Sequence, residues 1–110
     1  MPQFLYRIRP ARTGYLAAPT PEECEAVEDH FDYLAGLTRQ AVVLLAGRTT
    51  NDDVSMFGIV LLEAPSEAAA RDVMVADPAV AAKVFAAELF PYRVALASPR
   101  LLDLAPSDPS

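Results

Sequence analysis

The chain has no tryptophan, one cysteine and one histidine among its 110 residues, and each scarcity removes a class of function. Cys24 has no internal partner for a disulfide and reads as a small helix-surface or part-buried residue. With His30 as the single imidazole, no Cys/His set has zinc spacing, so neither a metal nor a cofactor is expected. Gly14, Gly36, Gly47 and Gly58 stand apart from one another, and without a Gly-rich turn there is no cradle for a phosphate. No serine sits in a nucleophile-elbow motif. Positive charge is also scarce: 9 Lys and Arg stand against 15 Asp and Glu, a net charge of −6. Only Arg7, Arg9 and Arg12 lie near one another, too few for the positive footprint of a nucleic-acid surface. No apolar run reaches the roughly 18 residues that cross a bilayer. The opening MPQFLYRIRP is broken by Arg7 and Arg9 where a signal peptide needs an apolar core. The expectation is a cytoplasmic chain with no nucleic-acid or membrane partner.

What is abundant is apolar. Hydrophobic residues make up 53% of the chain and charged residues 22%, enough for one domain with one core at this length. FLYRIR (4–9) alternates as a strand, with Phe4, Tyr6 and Ile8 on one face and Leu5, Arg7 and Arg9 on the other. PARTGYLAAPTP (10–21) is a loop broken by Pro10, Gly14, Pro19 and Pro21. Thr20 is an N-cap, Pro21 the first helical residue, and Glu22 and Glu23 complement the helix dipole. This helix is predicted to reach about Arg39. Val27, Phe31, Leu34 and Thr38 form one stripe, with His30, Leu34 and Leu37 beside it, so His30 belongs on or next to the buried face.

AVVLLAGRT (41–49) and SMFGIVLLEA (55–64) read as strands joined by a turn at TNDD. Pro65 ends the second, and Ser66 caps a helix that buries Ala70, Val73 and Met74 and exposes Glu67 and Arg71. Asp77-Pro78 opens a short third helix, predicted to run to about Ala87. LFPYRVALA (89–97) is the last strand, and Pro91 marks it as an edge or a bulge. The order β-α-β-β-α-(α)-β predicts an α+β, ferredoxin-like βαββαβ domain over residues 1–98, with helices on one sheet face. Residues 99–110 form a C-terminal tail, expected to be loose from about Pro106. The runs VVLLA and FGIVLL are continuous rather than alternating, which predicts burial on both sheet faces. Helices cover one face only, so a second copy of the chain is expected on the other, as a homodimer or larger.

Chemistry has few candidates. His30 is the one side chain whose ordinary pKa lies near neutrality. Asp77 before Pro78 is an N-cap that also lies on the same side of the sheet as the first helix, so the two side chains have a route to meet. A carboxylate on one imidazole nitrogen fixes the tautomer and makes the other nitrogen a better general base. A structural role, His30 in the core and Asp77 as cap alone, is the competing reading. Arg7, Arg48 and Arg93 interrupt apolar strands; each is either a holder of a substrate anion or a strand-end side chain reaching solvent. Tyr6 and Tyr92 are either ligand donors or core residues.

FLYRIRPAR, EDHFDYLAGL, VVLLAGRT, FGIVLLEA and ADPAVAAKVFAAELFPYRVAL together resemble the YciI (YCII-related) family of the dimeric α/β-barrel group, over nearly all of residues 3–97. The resemblance implies a ferredoxin-like protomer that dimerises sheet to sheet into an α/β barrel. It also implies a His–Asp pair in a cleft, which falls on His30 of DHFDYL and Asp77 of ADPAV. Arg48 stands in AGRT where many relatives have Ala-Gly-Pro, so the cleft departs from the family pattern there. Some relatives take part in dehalogenation or aromatic breakdown, and the wider group includes muconolactone isomerases. Two readings follow. One is a small cofactor-independent enzyme in which His30, poised by Asp77, moves a proton on an anionic or aromatic small molecule held by Arg48, Arg7, Tyr6 or Arg93. The other is a non-enzymatic dimer that binds a metabolite or partner, with the His–Asp pair as a brace.

Overall fold

The computed structural model describes residues 1–104. Its elements are β1 (Gln3–Pro10), α1 (Pro21–Arg39), β2 (Val43–Arg48), β3 (Gly58–Glu63), α2 (Glu67–Ala76), α3 (Pro78–Ala81), β4 (Phe85–Tyr92) and α4 (Leu101–Leu104). The four strands form one antiparallel sheet in the order β2-β3-β1-β4. That order, with α1 joining β1 to β2 and α2 and α3 joining β3 to β4, is the ferredoxin-like α+β fold. Pro91 lies on β4, at the sheet edge, where its missing N–H breaks no ladder.

The alternation of β1 divides the sheet into two unlike faces. Phe4, Tyr6 and Ile8 are buried, and with Val43, Val60, Leu62 and Phe85 they form the core beneath the helices. Tyr6, Leu62, Val43 and Val60 are sealed from solvent, and burial of each such apolar side chain is worth about 1.5–3 kcal/mol. The opposite face carries Leu5, Arg7, Ile59, Leu61, Leu45, Glu88 and Phe90, brought side by side by the strand register. Phe90 is exposed there, Leu61 keeps 9% of its surface exposed, and α1, α2 and α3 pack on the other face. Arg7 donates to Glu88 across it at 2.7 Å. Leu44 is the extra residue of a bulge between Val43 and Leu45, which returns Leu45 to the open face.

The helix starts are as their sequences dictate. Thr20 accepts from Glu23 N–H while the Glu23 carboxylate accepts from Thr20 N–H, a complete capping box with Pro21 in the first turn. Ser66 caps α2 through the Ala69 N–H. The buried stripe of α1 is rotated from the predicted one: Ala26, His30, Tyr33, Leu34 and Leu37 turn inward, while Phe31 and Thr38 are exposed. His30 lies on the inner stripe in both. Cys24 is exposed.

Three boundaries differ from the sequence reading. Helix α3 stops at Ala81 rather than near Ala87, and the last strand is Phe85–Tyr92 rather than 89–97. Lys83 adopts a positive φ of 62°, with its N–H on Val80 O and the Val84 N–H on Ala79 O. This is a Schellman stop, and it releases the chain early into pairing with β1. Ala41 ends α1 in the same way, at φ 60°, with the Val42 N–H on Leu37 O. The expected TNDD hairpin is instead a longer loop from Thr49 to Phe57. It is closed by the Thr49 N–H on Phe57 O at 2.8 Å, with Asp53 gathering Asn51 and Ser55 inside it. The tail includes the short helix α4; the looseness expected from Pro106 lies outside the described residues.

The loop between β1 and α1 is ordered by one ion pair. Arg12 donates to both oxygens of Glu23, at 3.0 and 2.7 Å, and to Ala18 O at 2.8 Å. Arg12, and then the Thr20 N–H, hold the Glu23 carboxyl down at about 2 from an ordinary 4.5. A carboxyl depressed in the fold stabilises fully above its unfolded value and loses that contribution as pH falls through 4.5 toward about 2. Glu23→Gln is therefore expected to flatten the loss of melting temperature over that acid range, seen in thermal melts at stepped pH. Val43→Asp is expected to destabilise the fold by about 3 kcal/mol in urea titration, since the site offers the charge no partner. Near-wild-type stability would contradict the burial described.

Candidate active site

Asp77 is the C-cap of α2 and the N-cap of α3 at once. Its extended ψ of 122° is the conformation that a following proline enforces. That geometry turns its side chain inward, where it is fully buried. Donors from three elements meet it. His30 Nδ1, on α1, lies 2.7 Å from Oδ2 and 2.8 Å from Oδ1. The Tyr6 hydroxyl, on β1, donates to Oδ2 at 2.9 Å, and the Ala79 N–H of α3 donates to Oδ1 at 3.0 Å. Both oxygens of the buried carboxyl are thereby supplied with hydrogen-bond partners.

An ionised carboxylate only accepts, so opposite it Nδ1 carries the proton, and in the neutral ring Nε2 is then the acceptor. Nε2 has no partner among the described residues, and no buried side-chain nitrogen or oxygen there lacks one, so Nε2 reaches solvent. The His30 side chain is 13% exposed. Its ring meets the Phe85 ring edge to face at 5.5 Å, and Phe85 in turn meets Tyr15 at 5.8 Å. Burial, and after it the Asp77 charge, push the Tyr6 phenol far above its usual range. Tyr6 is thereby fixed as a donor. The same two causes raise Tyr33, whose hydroxyl donates to Val73 O at 2.7 Å.

The structure brings together two of the seven candidate residues as hydrogen-bond partners, His30 and Asp77, and adds a third, Tyr6, on the same carboxylate. Tyr6 has no solvent contact and is committed to Asp77, so it holds the carboxylate rather than a ligand. Arg48 lies at the end of β2, opposite Gly58 and at the same sheet end as Ile8 and Phe85, and burial raises the Tyr15 phenol while the Arg48 charge works weakly the other way. Arg7 is on the other face, paired with Glu88 and 5.9 Å over the Phe57 ring. Arg93 is exposed just past the far end of β4, away from Phe85. A cavity of about 310 Å³ lined by Leu45, Arg48, Phe57 and Ile59 opens at the β2–β3 edge. It is apolar and does not include His30. Among the described residues no His, Cys, Asp and Glu cluster could hold a metal ion, and no helix is long and apolar enough to cross a membrane. Tyr15 and Phe85 were not singled out by sequence; Tyr15 sits in a loop without periodicity, and Phe85 fell inside a predicted helix.

A YCII-related domain matches residues 5–91. No curated protein matches the chain. Among solved structures, the chain is similar to 5-chloro-2-hydroxyhydroquinone dehydrochlorinase (TftG) from Burkholderia phenoliruptrix AC1100, in its complex with 2,5-dihydroxybenzoquinone. The two share 22% identity and a TM-score of 0.60 over 82% of this chain and 93% of that one, a likeness of fold.

The cost of disturbing the carboxylate can be ranked by what each substitution leaves unpaired. Tyr6→Phe removes one donor and is expected to destabilise by about 1–2 kcal/mol. Asp77→Ala strips three buried donors of their acceptor and also uncaps α3, so about 3–5 kcal/mol is expected. Urea titration of both variants checks the order, and equal effects would contradict it.

Proposed function

We propose that this chain, which belongs to the YCII-related domain family, is a small cofactor-independent enzyme in which His30 moves a proton on a small anionic or aromatic metabolite. The observation that carries this reading is the contrast between a sealed Asp77 and a reachable Nε2 on the same imidazole. Asp77 orients the ring and offsets the positive charge that develops as Nε2 takes a proton. Tyr6 and the Ala79 N–H keep the carboxylate from turning away.

Isomerisation by a proton shift, elimination and dehydrochlorination all use such a transfer. The neighbour of similar fold removes hydrogen chloride from a hydroxylated ring, as its name states. In that chemistry a proton passes from the substrate to a base, and chloride leaves with the electron pair of its carbon bond. His30 is suited to be the base, and Arg48 to hold an anionic oxygen nearby. The unit that acts is taken to be residues 1–98, with 99–110 as an appendage, in the cytoplasm and without nucleic acid or membrane. Arg7 and Arg93 lie away from His30 within one protomer, so a role for either in ligand binding requires a second copy.

That second copy belongs on the open sheet face, as a homodimer of α/β-barrel form. Leu5, Leu45, Ile59, Leu61 and Phe90 give this face an apolar stripe that water leaves unsatisfied. A second reading, a metabolite-binding dimer in which the pair is only a brace, draws on the small 13% exposure of the His30 side chain.

Chloride release from chlorinated dihydroxy- and trihydroxybenzenes separates the two. The enzyme reading expects turnover, with His30→Asn lowering kcat by at least about 100-fold. Absence of turnover, or equal rates in the two proteins, favours the brace. Light scattering at micromolar concentration is expected to give a dimer for the wild-type chain and a shift to monomer for Leu61→Asp; a wild-type monomer contradicts the assembly.

A further inference from the structure

The protomer leaves two apolar features uncovered, and they lie at diagonally opposite corners of the sheet. One is the cavity of about 310 Å³ lined by Leu45, Gly47, Arg48, Thr49, Phe57 and Ile59. It sits at the β2 edge, where Gly47 pairs with Ile59 and Arg48 with Gly58. The other is the segment after β4, residues 93–104. It leaves the sheet beyond Tyr92, which pairs with Gln3, itself paired with Glu63 at the other end of β3. The matched domain ends at residue 91, so this segment lies outside it.

The segment is ordered locally and buries none of its leucines. The Ser98 hydroxyl accepts from Arg100 N–H at 3.2 Å, and Ser98 O accepts from Leu101 N–H at 3.1 Å, which starts α4. Val94 N–H donates to Gln3 Oε1 at 3.1 Å, where the segment departs. Beyond it, Leu96, Leu102 and Leu104 are 94%, 84% and 66% exposed. A helix of four residues is not stable alone in water, and a short segment with its leucines this exposed needs a surface to lie on.

The two features also carry complementary charges. Arg48, at the cavity, reaches only Thr49 O, at 3.4 Å, and Asp52 is exposed in the loop that follows β2. On α4, Arg100 and Asp103 are three residues apart and so share a face. None of these four groups has an ion-pair partner among the described residues.

We infer that residues 93–104 are an arm exchanged between two copies of this chain. The leucines of α4 seat in the β2-edge cavity of the other copy, with Asp103 on Arg48 and Arg100 on Asp52. The inference rests on the sheet-to-sheet dimer proposed above. A twofold axis in the plane between two facing sheets carries the Tyr92 corner of one over the Arg48 corner of the other, and the contact is made twice. Within one protomer the arm stays off its own sheet, since Leu96 and Phe90 are both exposed. The exchange occupies Arg48, so an anionic ligand competes with the arm for that guanidinium.

Cysteine cross-linking of the full chain tests the exchange, in a Cys24→Ser background. A Cβ at Gly47 meets no atom within 4 Å, so Gly47→Cys is accommodated. Gly47→Cys combined with Leu102→Cys is expected to run as a covalent dimer on a non-reducing gel, and either substitution alone as a monomer. A bond within one chain, thiols that stay free, a ladder of larger species, or dimers from a single substitution each overturn the inference. Asp103→Arg is expected to raise the dimer Kd about tenfold in sedimentation at low salt. Arg48→Asp in the same chain is expected to restore it, and no restoration overturns the pairing. A wild-type dimer in light scattering without the cross-link removes the arm and leaves the sheet pairing standing; a wild-type monomer contradicts both.

Discussion

Asp77 has no contact with solvent, and an unpaired carboxylate in such a place carries a penalty on the order of several kcal/mol. The fold removes that penalty by converging three elements on two oxygens. Helix α1 brings the His30 N–H, strand β1 the Tyr6 hydroxyl, and the first turn of α3 the Ala79 N–H. None of the three donors is near another in sequence, so the carboxylate is satisfied only when the βαβ crossovers are complete. The packing of α3 against α1 and the polarity of the imidazole are therefore one problem. The same bond that satisfies the carboxylate determines which His30 nitrogen is left unbonded.

The sheet separates the two tasks of the molecule. Its inner face, with Phe4, Tyr6, Ile8, Val60 and Leu62, fixes the helices and so the His30–Asp77 geometry. Its outer face, with Leu5, Leu61 and Phe90 beside the Arg7–Glu88 pair, does nothing for the protomer's own core. A face both apolar and register-matched is suited to self-association. Lys83 shapes this arrangement from a distance. By ending α3 one turn after Asp77, its left-handed backbone allows Phe85 to enter β4 and reach both His30 and Tyr15.

Much of this was legible in the sequence where the signal is local. Thr20, Pro21 and Glu23 announce the start of α1, Ser66 that of α2, and the alternation in FLYRIR assigns Tyr6 to the core. The family resemblance, together with the positions of His30 and Asp77 along the chain, pointed to their contact. What failed depended on contacts remote in sequence. AVAAKVFAA has the composition of a helix, and its conversion to a strand comes from pairing with β1 after the Lys83 stop. The stripe of α1 differs from the expected one at Phe31 and Thr38, which are exposed, while Tyr33 turns in and donates to Val73 O. Tyr6 was legible as a core residue or a donor, but not as the donor that holds Asp77. Tyr15 and Phe85 matter through each other and through His30, and no periodicity reports such a row.

The central claim is that Asp77 sets His30 as an Nδ1-protonated base with a bare Nε2. The most direct measurement is a long-range 15N–1H spectrum of the single histidine, recorded on the wild-type chain at a pH where the ring is neutral. The account expects a protonated Nδ1 and a pyridine-like Nε2 shift, with that tautomer lost in Asp77→Asn. A wild-type spectrum showing the proton on Nε2 would contradict it.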